Sequence, residues 1–95
     1  MEKKNIRCRY QFYGTVQGVG FRYRAKYAAQ LLELTGWVEN EWDGSVIGEV
    51  QGPVEMVARW VPTITAVSQW IEIERMDRKE IPVLPEERSF KVRGC

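Results

Sequence analysis

The hydrophobic pattern of this chain switches between a period of two and a period near 3.6. The order of those switches restricts the fold more than any other feature. Residues 9–16 alternate, with Tyr10, Phe12, Gly14 and Val16 on one side and Arg9, Gln11, Tyr13 and Thr15 on the other, which predicts a strand. Gly18 and Gly20 then punctuate a tight loop. Over 22–34 the period lengthens: Phe21, Ala25, Ala28, Ala29 and Leu32 share one helix face, and Gly36 is placed to cap the C-terminus. Residues 36–42 alternate again, Asp43-Gly44 is a hairpin signal, and 45–51 supplies the partner strand. Pro53 suits the start of a second helix with an apolar face of Val54, Val57, Ala58 and Val61, ended by Pro62. Residues 68–76 alternate as a strand, 77–89 read as a charged loop with Pro82 and Pro85, and Phe90–Arg93 is a short closing strand.

The resulting order is β-α-β-β-α-β plus a short C-terminal strand. Each helical crossover joins strands that are not hairpin partners, and right-handed crossovers put both helices on one face of an antiparallel sheet. This is an α+β architecture, the ferredoxin-like split βαβ sandwich. Ninety-five residues make a single domain, 1–95, able to bury about 60–68% of its unfolded surface without metal or disulfide staples. Residues 1–8 are polar and charged and read as a flexible tail.

Composition narrows the chemistry. Fourteen basic against thirteen acidic residues leave a net charge of +1, which implies no general attraction to nucleic acid or to a membrane surface. No apolar run approaches a membrane span and no apolar segment follows the basic start, so a cytoplasmic protein is expected. There is no histidine, which removes histidine general acid–base catalysis, Ser-His and Cys-His pairs and the usual metal clusters; no metal and no cofactor are expected. Cys8 and Cys95 fit two reduced thiols, with a disulfide between them as the alternative.

Several motifs fail on spacing. Gly14 and Gly18 lack the Lys-Ser/Thr of a phosphate-binding P-loop, and a dinucleotide fingerprint starting at Gly18-x-Gly20 meets Tyr at position 23. Neither cysteine has an arginine placed to close a cysteine-phosphatase loop, since position 14 is Gly and nothing follows Cys95. Glu39, Glu41 and Asp43 fall in and around a hairpin and read as a solvated face.

What survives is the strand–loop–helix junction at 14–22, Gly14-Thr15-Val16-Gln17-Gly18-Val19-Gly20-Phe21-Arg22. A glycine-bearing loop entering a helix aims several backbone N–H groups at one point, and the helix dipole adds to them; Arg22 offers a guanidinium fork to the same anion. The other reading of the spacing is a plain turn with a surface arginine.

This stretch resembles the signature of the acylphosphatases, G-x-V-Q-G-V-x-F-R. A second family pattern follows without insertion: Gly36-Trp37-Val38, Asn40, Asp43-Gly44-Ser45-Val46 and Gly52. The resemblance runs from about Tyr10 to Trp60. It implies hydrolysis of a carboxyl phosphate, with Gln17, Gly18, Val19, Gly20 and Phe21 cradling the phosphoryl oxygens. Arg22 would bind the phosphate and stabilise its transition state, and Asn40 would hold the attacking water in line.

The residue types suit those roles. Phosphoryl transfer proceeds through a loose transition state, so catalysis is mostly positioning and electrostatics. An activated carboxylate leaving group needs no strong base, and an amide at position 40 can orient water without titrating. Glu39 departs from the family, in which the residue before this asparagine is often basic or neutral. Alternation turns Glu39 away from the Asn40 face, yet a carboxylate about 7 Å from a dianion costs roughly 0.5–2 kcal/mol of affinity. The linker before Ser68 also looks short for the family.

Two competing readings have their own signatures. A non-catalytic ferredoxin-like binding module could stack bases on Trp37, Trp42 and Trp70, but the aromatic–basic motifs of RNA-recognition sheets are missing. An acylphosphatase-like domain of a larger maturation enzyme, serving carbamoyl phosphate, is disfavoured by the chain length. The expected partner is therefore a small-molecule acyl phosphate, and the expected state a monomer.

Overall fold

Strand β1 (Asn5–Thr15) is the axis of the sheet, pairing antiparallel with β3 (Val46–Pro53) on one side and β4 (Glu72–Ile81) on the other. The structure, a computed structural model, describes residues 4–66 and 68–94. Beyond β3 lie β2 (Thr35–Asn40), antiparallel to it, and β5 (Phe90–Arg93), parallel to β2, giving the order β4-β1-β3-β2-β5. The ferredoxin-like arrangement is as expected, with one parallel pair at the β5 edge. Among the described residues no helix is long and apolar enough to cross a membrane.

Both crossovers cover the same sheet face. Helix α1 (Phe21–Leu31) buries Phe21, Ala25, Ala28 and Ala29, as its periodicity predicts. The second crossover is not one helix ended at Pro62 but two short pieces, α2 (Val54–Val57) and α3 (Trp60–Ala66). Pro62 is the third residue of α3, where its missing N–H has no helical partner to lose. Val57, Trp60 and Ile64 are the buried residues there, whereas Val54 and Ala58 are exposed. Trp60 meets Tyr10, Phe12 and Phe90 at ring separations of 5.2, 5.9 and 5.9 Å, and Phe12 meets Phe21 at 4.9 Å. The buried Trp60 indole donates to Ala25 O at 3.0 Å, tying α3 to α1.

Three further boundaries differ from the sequence expectation. Helix α1 closes before Gly36: Glu33 takes the left-handed conformation at φ 57°, and Leu34 N–H returns to Ala29 O at 2.7 Å. Gly36 lies inside β2 at φ 147°, where a Cβ would collide with Glu49 O on the neighbouring strand. Strand β4 runs on through Asp77–Ile81 territory that its charge marks as loop, because an edge strand open to water does not have to alternate.

The largest correction concerns residues 5–8, which are not a tail. They form the start of β1, with Ile6, Arg7 and Cys8 all buried. The Arg7 guanidinium donates to Glu87 Oε1 at 2.7 Å, Glu49 Oε1 at 2.9 Å and Gln51 Oε1 at 3.1 Å. Gln51 in turn donates to Leu84 O and accepts from Leu84 N–H, so this network clamps the segment after β4 over the sheet face opposite the helices. Burial opposes the Arg7 charge, but the hydrogen bonds and charges of Glu87 and Glu49 outweigh it and raise the pKa. Arg7→Met should lower stability by about 2 kcal/mol in chemical denaturation, since it strands the partly buried Glu87 carboxylate and leaves Glu49 with Arg9 alone. Replacing Glu87 by Leu as well should recover part of that loss. Burial also pushes up the pKa of the Cys8 thiol; Cys95 lies outside the described residues.

Candidate active site

At the end of β1 the chain turns through Val16–Gly20 and enters α1. Gly18 and Gly20 sit in the left-handed region at φ 76° and 77°, with open space where a Cβ would stand, so glycine is needed for conformation and not for room. Gly20 is the N-cap of α1 and makes no side-chain cap, and no acidic residue occupies the first turn. The N–H groups at the helix start are thus left for an anion, unopposed by a carboxylate on their own turn.

Gln17, Gly18, Gly20, Phe21, Arg22 and Asn40 line one cleft of about 190 Å³, together with Val16 and Tyr23. Of the residues singled out from the sequence, Val19 alone is not in this lining; it lines the adjoining groove instead. The Gln17 side-chain amide is already committed, donating to Glu41 O at 2.7 Å and Ser45 O at 2.9 Å, which pins the loop to the base of the β2–β3 hairpin. Phe21 points its ring into the core at 1% exposure, so its offering to the cleft is main-chain.

Arg22 and Asn40 reach the cleft from different elements. Arg22, on the first turn of α1, donates through Nη1 to Arg93 O at the end of β5 at 2.8 Å. That bond fixes one edge of the guanidinium and leaves its other N–H groups for a ligand. Asn40 ends β2 and pairs in register with Val46 of β3. Among the described residues its Oδ1 is the buried side-chain oxygen without a hydrogen-bond donor. A buried acceptor left unpaired costs free energy, which suits a group kept for a reacting molecule. Glu39 alternates to the opposite sheet face, opposite Arg93 of β5.

The hairpin that carries Asn40 is held by Asp43, whose Oδ1 accepts from the Ser45 hydroxyl at 2.6 Å and the Ser45 N–H at 2.9 Å. These bonds, led by the Ser45 hydroxyl, lower the Asp43 pKa. Among the described residues no group of three or more His, Cys, Asp or Glu is placed to hold a metal. Sequence reasoning missed two members of the site. Tyr23 could have been flagged as an aromatic off the apolar face of its helix; the Arg93 carbonyl is main-chain and has no residue signal.

Known proteins share this sequence and fold. The chain is 40% identical over 79 residues to the acylphosphatase of Geobacillus thermodenitrificans, covering 83% of this chain and 84% of that one. It superposes on the crystal structure of acylphosphatase from Bacillus subtilis with a TM-score of 0.86 at 29% identity, covering 94% of this chain and 99% of that one. HypF from T.kodakarensis contains a similar fold, TM-score 0.81 at 26% identity, but the match covers 95% of this chain and 12% of that one. The acylphosphatase family model spans residues 8–92, taking in the loop, Arg22 and Asn40: the chain belongs to the acylphosphatase family.

Proposed function

We propose that the protein hydrolyses acyl phosphates, with the phosphoryl group held by the backbone N–H groups of the loop through Phe21 and by Arg22, and the attacking water oriented by Asn40. The observation that carries this reading is the convergence of the loop, Arg22 and the unpaired Asn40 oxygen on one cleft. Water donates a hydrogen bond to Asn40 Oδ1 and attacks phosphorus in line, the bond from phosphorus to the acyl oxygen breaks, and the carboxylate departs. The water's second proton stays on the phosphoryl oxygens, so an acyl phosphate dianion and water yield a carboxylate and dihydrogen phosphate. Arg22 and the loop donors stabilise charge on the equatorial oxygens. The reading includes a monomer acting on a small-molecule substrate in the cytoplasm, without cofactor or metal.

Its test is phosphate release from benzoyl phosphate after EDTA treatment. Turnover unchanged by the chelator supports it; turnover seen only on adding back a divalent cation overturns the mechanism. Glu39→Gln should lower KM by about two- to tenfold at low salt, because it removes a negative charge near the dianion's site. The difference should narrow as salt is added. Equal KM values at all ionic strengths would show that Glu39 is electrostatically silent.

A further inference from the structure

Helix α1 carries a second row of large side chains on the side away from the core. Tyr23, Tyr27 and Leu31 recur every fourth residue, one above the other, and are 70%, 66% and 63% exposed. Tyr23 and Gly20 line both the cleft and a neighbouring groove of about 470 Å³. Arg24 and Tyr27 line both that groove and a further one of about 540 Å³ between α1 and α3, walled by Leu31, Pro62 and Ile64. The row therefore starts at the phosphate cradle and runs about 12 Å along the helix, at about 1.5 Å per residue.

We propose that this row is the acyl-group subsite, and that the protein takes acyl phosphates whose acyl group is an extended apolar chain. The inference rests on the acyl phosphate reading above and names the substrate class of that site. In-line displacement puts the attacking water and the departing acyl oxygen on opposite sides of phosphorus. Asn40 lines the cleft and neither groove, so the acyl group leaves toward the side on which Tyr23 and Tyr27 stand. No acidic side chain is among the described residues lining either groove, so the carboxylate formed there meets no like charge, and Arg24 is at hand beside it. Apolar chain length should accordingly be read as affinity, since each methylene laid on the row leaves water.

Methylphosphonate and octylphosphonate share a headgroup and cannot be hydrolysed, so their binding by calorimetry isolates the chain. Octylphosphonate should bind at least about tenfold tighter. Tyr27→Ser should reduce that advantage to about threefold or less while leaving methylphosphonate affinity unchanged. Tyr27 is exposed and off the cleft, so the fold should survive the change. Equal affinity for the two phosphonates would overturn the subsite and leave the phosphate cradle standing; failure of both to bind would overturn the cradle as well. A dimer in sedimentation that Tyr27→Ser dissociates would make the row an interface between copies, and the proposal would fall.

Discussion

Arg22→Ala is expected to lower kcat/KM for acetyl phosphate by about 10³-fold. The guanidinium is the cation that lines the cleft, and its loss removes ground-state binding and transition-state stabilisation together. KM should rise and kcat should fall. Arg22→Lys should restore little, because an ammonium cannot span two phosphoryl oxygens as a planar fork does. Arg24, two residues on, lines the grooves and not the cleft, so Arg24→Ala should be mild with this small substrate. Equal losses at 22 and 24 would assign the phosphate to the wrong arginine.

Asn40→Ala is expected to lower kcat by about 10²-fold or more with little change in affinity for inorganic phosphate. The separation follows from the proposed roles, in which the loop and Arg22 hold the anion and Asn40 acts on the water. Stability should change by under about 1 kcal/mol, because the truncation removes an acceptor that is already unpaired in the fold. A variant that loses phosphate binding in proportion to turnover would move Asn40 from the water to the anion.

The parts of the molecule that sequence rendered well are those where one physical signal acts alone. The alternation of β1 and the alanine-rich face of α1 each meet a buried face on one side and water on the other, and the Asp43-Gly44 turn is exposed between its two strands. The misread parts are those where tertiary context reverses a local rule. A charged residue near a terminus ordinarily means solvent, yet Arg7 is buried because Glu49, Gln51 and Glu87 arrive from distant positions to satisfy it. Pro62 ordinarily stops a helix, yet in the first turn of α3 it stops nothing. The candidate site was legible as residue types and spacing, since backbone donors, a guanidinium and an amide all leave a trace in sequence. Its alignment was not, because the Arg93 carbonyl that steadies Arg22 would be present whatever residue stood there.

The hydrogen bond from Arg22 to that carbonyl spans 71 positions of sequence and ends on a four-residue edge strand. Short edge strands are among the segments that open first, well below the free energy of global unfolding. On the proposed mechanism, the setting of the Arg22 guanidinium therefore depends on a short strand at the edge of the sheet. Mild denaturant should silence turnover at concentrations where the β1–β3 pairing is still intact, and a refolding chain should regain that pairing before it regains its rate.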